Sequence, residues 1–590
     1  MKTLLLILSM FFVTTFSLFG QMSSRPNVVI IMTDDQGIGD FGFMGNPHIE
    51  TPVLDQLALE SLHMTNFHVS PVCAPTRSSL LTGRYSLRTG VHDTYNGGAM
   101  MAGSEITLAE YFKEAGYSTG IFGKWHLGDN YPLRPSDQGF DESLVHKSGG
   151  IGQVGDLDNY FAFDSSYFDP VLYKNNERVQ TQGYCSDVFT DGAIDFIENS
   201  SQSPFLLYLA FNAPHTPLQV PKEYLDRYQD LDEKINKEKN PDFFPKGLSE
   251  KQLDDAKRVY GMVSNIDDNI SRLINSLKEK GIYDDTIFVF LTDNGPQQNR
   301  YKAGLQGLKG SVYEGGVRVP LLIRYPKLGA KKVNTNLAHF DILPTLMDLA
   351  GLKPAKGIDG SSFASILKGE SDGSSFFERP IIMYWRRGFP EAYQNVAVIK
   401  GDYKWLAQQD GDAPISESKL FNLKNSEYEL NNRIQSEVEL ALDLKEDFDL
   451  WLQEILQSPN LLDPVRIGIG SEEEPISVLN RNDAGGMPGI WAQEELFGYW
   501  QVEVINSGYY DIDVKFLKPV KDGRVLLKLA PVQVSRGVEE SGMKEVEFSR
   551  VYLPEGKYQL ESWFDRKTNE SLGQERGIVF PFSIEVSKVK

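Results

Sequence analysis

From Pro26 to about Ala350 the chain alternates apolar, β-branched runs with amphipathic stretches. Asn27-Val28-Val29-Ile30-Ile31-Met32 is continuously apolar after its first residue, the pattern of a strand covered on both faces. Phe205 to Phe211 and Thr286 to Leu291 repeat it, and Ser118 to Phe122 is a shorter version. Between these runs, Thr51 to Leu62 sets Leu54, Leu57 and Leu62 on one helical face. Leu108 to Ala115 predicts a second helix and roughly Leu253 to Lys280 a long one. Strands separated by helices predict an α/β fold, with a large mixed, mostly parallel sheet sandwiched by helices. In such sheets ligands sit beyond the carboxyl ends of the strands.

After about Lys353 the pattern changes. Gly357 to Ser361 reads as a loop, and Ile381 to Trp385, Val396 to Ile399 and Tyr403 to Leu406 as short strands, followed by a helix over Glu437 to Leu456. This predicts a smaller α+β subdomain with an antiparallel sheet. From about Ile467 helical periodicity disappears. Trp500 to Val504 and Tyr510 to Val514 alternate strictly across a turn at Asn506-Ser507-Gly508. Val525 to Leu529, Glu545 to Val551, Tyr558 to Trp563 and Phe580 to Val586 continue the series, predicting an all-β, sandwich-like module. The expected division is a signal peptide at 1–20, an α/β domain at 25–353, its subdomain at 354–462 and the β module at 463–590. Trp491, Trp500, Tyr509 and Trp563 could offer faces to a carbohydrate; the preferred reading is that they fill the sandwich core or its contact with the catalytic domain.

Charge narrows the partners. The 590 residues hold 59 Lys and Arg against 81 Asp and Glu, a net charge of −22. Such a chain repels nucleic acid and anionic lipid, and at long range any polyanionic substrate, so an anion-binding site would need its own local cations. Lys2 precedes an apolar stretch from Leu4 to about Phe19, then Gly20 and Gln21, the pattern of a secretory signal cut near Gly20. No cysteine follows it, which argues against a lipoprotein anchor, and no second apolar run is long enough to span a bilayer. The expected mature protein is exported, periplasmic or secreted, with no integral membrane segment.

Each predicted strand runs into a polar cluster. The first ends in Thr33-Asp34-Asp35-Gln36-Gly37 and the Ser118 strand in Gly123-Lys124-Trp125-His126-Leu127-Gly128. The Phe205 strand leads to Asn212-Ala213-Pro214-His215-Thr216-Pro217, and the Thr286 strand to Thr292-Asp293-Asn294-Gly295. Any one cluster is commonly a turn or a helix cap, but four together deliver acids, amides, His and Lys to one sheet edge. Asp34, Asp35, Asp293 and Asn294 are hard oxygen donors suited to Ca²⁺ or Mg²⁺. One of only two cysteines, Cys73, lies in a Pro-bracketed turn, Cys73-Ala74-Pro75-Thr76-Arg77, before Leu81-Thr82-Gly83-Arg84.

That last string resembles the activation signature of type I sulfatases, formylglycine-dependent enzymes of the alkaline-phosphatase superfamily. The resemblance spans about Pro26 to Leu456 with the motifs in family order. Leu420-Phe421-Asn422-Leu423 with Glu427, Glu429 and Asn432 is similar to a later family segment, with Asn425-Ser426 where Asp-Pro is usual. It implies that Cys73 is converted to formylglycine by a maturation enzyme. It also implies that Asp34, Asp35, Asp293, Asn294 and position 73 bind one divalent cation, generally Ca²⁺. Arg77 would neutralise the nucleophile, and Lys124, His126, His215 and Lys309 would complete the catalytic set. In the implied mechanism a hydroxyl of the hydrated aldehyde attacks sulfur, His215 with Lys309 protonates the leaving alcohol, and His126 takes the proton that lets sulfate be eliminated. The implied substrate is a sulfated carbohydrate, for example an algal polysaccharide such as ulvan, with host glycosaminoglycans open. Phosphonate or phosphodiester hydrolysis and non-catalytic glycan binding are the alternatives. Substrate choice is expected to rest on loops near Gly149 to Tyr173, Tyr228 to Leu248 and Gln297 to Leu305. Cys185 reads as a buried structural thiol at a helix start, and His92 as a residue that could touch substrate.

Overall fold

Alternate residues of the first strand enter different cores. In the computed structural model, which describes residues 25–200, 203–237, 248–409, 414–566 and 577–589, Val28, Ile30 and Met32 join one hydrophobic cluster and Val29 and Ile31 another. The strand, β1 (Asn27–Thr33), is buried from its second residue onward. Each fully buried aliphatic side chain contributes about 1.5–3 kcal/mol, so an uninterrupted β-branched run fixes a central strand. The expected signal peptide, 1–20, and residues 238–247 of the Tyr228 to Leu248 loop lie outside the described residues. Among the described residues no helix is long and apolar enough to cross a membrane.

The sheet has eleven strands. Besides β1 these are β2 (Leu62–His68), β3 (Ser118–Lys124), β4 (Glu142–His146), β5 (Val171–Lys174), β6 (Glu177–Gln180), β7 (Phe205–Ala210), β8 (Thr286–Thr292), β9 (Arg318–Arg324), β10 (Lys331–Val333) and β11 (Leu337–Ala338). The order is β10-β2-β9-β8-β1-β7-β3-β4-β5-β6, with β11 beside β2. The central β8-β1-β7-β3-β4 block is parallel, and antiparallel pairs flank it. Helices Cys73–Thr82, Leu108–Glu114 and Ile342–Leu349 feed one core. Helices Pro52–Glu60, Cys185–Asn199 and Glu250–Glu279 feed the other. The mixed α/β fold expected from the pattern is present. One expectation fails at a boundary: Leu62, placed on a helical face by its spacing, is the first residue of β2, because the helix ends at Glu60.

A second sheet of four antiparallel strands, Ile381–Tyr384, Val396–Lys400, Tyr403–Ala407 and Lys419–Asn422, carries the Val438–Ile455 helix on one face. Two further sheets, of seven and four strands, form the C-terminal region. There the long strand Gly508–Val520 buries alternate residues, as its period-two pattern requires. The sandwich core takes in Met100 and Leu133 from the region of the large sheet. Backbone and side-chain bonds fasten the contact: Gly468 N–H donates to the Tyr131 carbonyl at 2.8 Å. The Asn130 amide donates to the Val478 carbonyl and accepts from its N–H, both at 3.0 Å. Trp500 is buried, stacked on Phe580 with centroids 4.8 Å apart. Tyr509 departs from the core-or-contact expectation: it is 48% exposed and meets Tyr552 edge-on. The predicted last strand begins at Ser583, not Phe580, since Pro581 cannot donate to a ladder.

Candidate active site

Strand register assembles the site. β1 pairs with β8 with Thr33 opposite Thr292, so the residues that follow, Asp34 and Asp35 on one strand and Asp293 and Asn294 on the other, emerge side by side. The Asp35 N–H donates to Asp293 Oδ1 at 3.2 Å and Asn294 Nδ2 to Asp35 Oδ1 at 2.8 Å. β3 ends at Lys124, whose ammonium pairs with Asp34. β7 leads into the loop that carries His215, whose Nε2 lies 3.8 Å from Asp35 Oδ2. Lys309, on a separate loop, pairs with Asp35 Oδ1 at 2.7 Å.

Cys73 is the first residue of a helix buried along its whole length. Pro75 fits there because first-turn N–H groups need no intrahelical acceptor, and Gly83, at φ +68°, closes the helix in the left-handed conformation. One turn on from Cys73, Arg77 faces the same side. It donates to Asp293 Oδ2 at 2.8 Å, Asp34 Oδ2 at 3.4 Å and the Lys124 carbonyl at 3.3 Å. Cys73 Sγ lies 3.5 Å from His126 Nδ1. His126 Nε2 is 2.8 Å from the Thr94 carbonyl, which can only accept, so Nε2 carries the proton and Nδ1 turns its lone pair toward position 73. The ten residues expected to form the catalytic and metal set, Asp34, Asp35, Cys73, Arg77, Lys124, His126, His215, Asp293, Asn294 and Lys309, therefore fall in one cluster, all buried but the part-exposed Lys309. Asp35 (φ +62°) and His126 (φ +60°) hold left-handed backbone conformations that β-carbon-bearing residues rarely adopt, strain that a packed surround must hold in place.

The charges are interlocked. Burial opposes ionisation of Asp34, but Lys124, His215, Arg77 and Lys309 outweigh it and hold the carboxyl below its ordinary range. Burial and then the Asp34 charge push Asp293 up to about 7, against the pull of Arg77. Burial raises the Cys73 thiol despite Lys124 and Lys309, so an unmodified cysteine here is a poor nucleophile. Burial, then Lys124, pushes His126 well below the usual histidine range. Burial, then Lys309, lowers His215 to about 4. Burial disfavours the Lys309 ammonium, yet Asp35 and the Cys73 site more than compensate.

The donor set fits a divalent cation. Asp34 Oδ1, Asp35 Oδ2 and Asn294 Oδ1 are buried without a hydrogen-bond partner, and each orphan of this kind costs about 1–3 kcal/mol or more unless something binds it. Ligand atoms of Asp34, Cys73 and Asp293 lie within 4.8 Å of one another, as do those of Asp34, Asp35 and His215. Oxygen-dominated donors of this hardness suit Ca²⁺ or Mg²⁺.

Above the cluster opens a cleft of about 820 Å³ whose described lining includes Cys73, His126, His215, Lys309, Arg386 and Arg387 and contains no Asp or Glu. Sequence reasoning missed much of this wall. Thr94 acts through a backbone carbonyl, which no side-chain motif records. Trp385-Arg386-Arg387 had a legible signal, an aromatic at the end of a predicted strand and two cations directly after it. His92 is not among the cleft's lining residues; its Nδ1 is 3.2 Å from the Gly388 carbonyl. Cys185 is buried in the core, as expected.

A sheet that brings two acidic strand ends beneath a helix-initial cysteine and a ring of cations defines a sulfatase-like hydrolase, and comparison agrees. The sulfatase family model matches residues 26–352, and the model for the C-terminal part of N-sulphoglucosamine sulphohydrolase matches residues 308–454. The chain belongs to the sulfatase family. It is 31% identical over 415 residues to N-acetylgalactosamine-6-sulfatase of Mus musculus, covering 64% of this chain and 71% of that one. It is 30% identical over 360 residues to the ulvan-active sulfatase of Formosa agariphila, covering 58% and 65%. The crystal structure of Ps i-CgsB in complex with k-i-k-neocarrahexaose superposes with a TM-score of 0.62 at 28% identity, covering 74% of this chain and 94% of that one. Both family matches end before residue 455, so the two C-terminal sheets lie outside them.

Proposed function

We propose that the protein removes sulfate from a sulfated carbohydrate, with formylglycine at position 73 and one divalent cation, Ca²⁺. The observation that carries this reading is the convergence of orphaned acidic oxygens, Cys73 and the cations Arg77, Lys124 and Lys309 beneath a cleft without acidic lining. An 820 Å³ cleft has room for a sugar ring, and relatives that act on sulfated sugars support a carbohydrate. The ulvan-active relative makes ulvan oligosaccharides the first to try.

Asp34, Asp35, Asp293 and Asn294 would hold the cation together with position 73. When bound, these groups supply a hydrated-aldehyde hydroxyl as nucleophile and a Lewis acid for a sulfate oxygen. The chain's own residues do the rest. Arg77 and Lys124 hold negative charge on Asp34, and Arg77 offsets part of the burial that raises Asp293, which lowers the net negative charge an anionic ester meets. His126, neutral with a lone pair at Nδ1, suits the base that takes a proton from position 73. Lys309, kept protonated by Asp35, is the proton reservoir on the leaving-group side. His215 is neutral, with Nδ1 bonded to the Thr216 carbonyl at 2.7 Å, so its Nε2 is the atom that would take a proton from Lys309 and pass it to the leaving alcohol. We assign residues 25–353, 354–462 and 463–590 as catalytic domain, subdomain and β module, and expect an exported protein matured by a formylglycine-generating enzyme.

The test is the mass of the Cys73 peptide from protein made in a host that matures other sulfatases, with sulfate release measured on sulfated oligosaccharides and phosphonate esters assayed beside them. A loss of about 18 Da relative to cysteine with sulfate release supports the proposal. An unmodified, alkylatable Cys73 without sulfate release overturns it.

A further inference from the structure

The wall of the cleft is built from three distant parts of the chain. Tyr95 comes from the loop after the Cys73 helix, Trp385 and Arg387 from the end of a strand in the four-stranded sheet, and Asn482 and Trp491 from the C-terminal region. Trp491 stacks on Tyr95, with centroids 5.5 Å apart and planes 27° apart. The Arg387 guanidinium lies 4.1 Å from the centroid of the same Tyr95 ring and 4.9 Å from that of Trp385. Arg387 is anchored by an ion pair to Asp93 and by a 3.0 Å bond to Thr94 Oγ1. Trp385 Nε1 is buried without a hydrogen-bond partner. Trp491 is only half-buried after this contact and lines the cleft. A structural contact between domains would need the aromatic pair alone. It would not need a fixed guanidinium beside the pair, an unpartnered indole donor and open space in front.

We infer that Trp491, Tyr95 and Arg387 form a subsite for a second sugar unit bearing its own anionic group, next to the unit whose sulfate is cleaved. This inference rests on the sulfatase reading and deepens it. An aromatic face takes the C–H face of a pyranose, and a guanidinium takes a sulfate or carboxylate in a bidentate, charge-assisted pair. The C-terminal β region is thereby part of the active-site wall and selects oligosaccharides over small sulfate esters. Its hold reaches further, since the Asn482 carbonyl accepts the Gly97 N–H at 3.3 Å. That bond steadies the loop whose Thr94 carbonyl orients His126.

The experiment compares kcat/KM for sulfated ulvan and carrageenan tetrasaccharides with that for 4-nitrophenyl sulfate in the full-length wild type, Trp491→Ala and Trp491→Phe. For the tetrasaccharide that the wild type prefers, Trp491→Ala is expected to lower kcat/KM about tenfold relative to 4-nitrophenyl sulfate, mostly through KM, and Trp491→Phe to recover most of it. Thermal melting of each variant checks that the fold is kept. An unchanged ratio in a folded Trp491→Ala protein overturns the subsite while leaving the sulfatase reading intact. A wild type that releases no sulfate from any of these esters, with Cys73 unmodified, removes the reading underneath and the subsite with it.

Discussion

Lys404 joins the four-stranded sheet to Glu314, which leads into β9 of the large sheet, and replacing it with Met tests how that junction is held. Its ammonium lies 2.7 Å from Glu314 Oε1 and 2.9 Å from Glu429 Oε1, with all three side chains essentially inaccessible. Glu314 also meets His68 Nε2 at 3.3 Å, and its N–H donates to Glu429 Oε2 at 2.9 Å. Burial opposes the Glu314 charge, but Lys404 and His68 hold that carboxyl well below its ordinary range. Glu429 is pushed up by burial, against Lys404. Lys404→Met leaves two carboxylates facing each other in a dry interior, and removing one partner of a buried ion pair costs about 3–5 kcal/mol. The pH dependence has a definite sign. In the variant one glutamate keeps a proton in the fold that it would lose when unfolded, so its folded pKa is raised, and stability is lost as pH rises through that value. The deficit should therefore be larger at pH 8 than at pH 5, approaching about 1.4 kcal/mol per pH unit while one proton is exchanged. Tryptophan fluorescence, to which Trp405 contributes beside Lys404 with its Nε1 bonded to Ser418 Oγ at 2.8 Å, follows urea unfolding. Adding Glu429→Gln to Lys404→Met should recover part of the loss. A deficit below about 1 kcal/mol at pH 8 would refute the reasoning, and so would a double variant no more stable than Lys404→Met alone.

Two further outcomes follow from the same structure. Chelation should lower the melting temperature, and Ca²⁺ at a hundredfold excess over its Kd should restore it by adding about 2.7 kcal/mol of stability; scanning calorimetry with and without EDTA decides this, and identical traces count against the cation site. Burial lowers His339 to about 3, with Nδ1 3.2 Å from the His68 carbonyl and Nε2 3.1 Å from Ser70 Oγ. Because the unfolded chain takes up this proton below about 6.5 while the fold does not, stability is full above that value and falls as pH drops toward 3. His339→Asn should flatten that acid limb in urea melts taken from pH 7 to 4, and an unaltered slope would place the titration elsewhere.

How much could be read without the structure depended on how many faces of an element are buried. β1, β7 and β8 are apolar on both faces and announce themselves. β2, Leu-His-Met-Thr-Asn-Phe-His, buries polar residues and bends at an irregularity between Met64 and Phe67, so its composition hides it. The chemistry was legible for a related reason. Acids, lysines and histidines at the ends of parallel strands share one edge, and adjacency along each motif carries the geometry. The cleft wall was not, because Tyr95 and Trp491 meet across nearly four hundred residues and only a tertiary contact joins them. The aromatic expectation divides accordingly. Trp500 fills the core, whereas Trp491 sits at the interdomain contact and keeps one side in the cleft.

The net charge of −22 and the anion-handling site are reconciled by distance. In about 0.1 M salt the Debye length is roughly 10 Å, so the acidic surface acts on a polyanion weakly and from afar. Inside the cleft, Lys309, Arg386 and Arg387 act at contact with low-dielectric walls that focus their field, while the acids paired with them, Asp35, Glu391 and Asp93, stand behind the described lining. The carboxylates that the chemistry requires lie beneath that surface, each tied to a cation: Asp34 to Lys124 and Arg77, Asp293 to Arg77, and Asp35 to Lys309. An incoming ester would therefore meet the positive partners first, and the buried oxygens proposed to hold the cation are screened from it by the residues that hold them in place. Composition sets the far field, but a recess a few ångströms deep sets the near one, and the near field governs binding once the substrate has arrived.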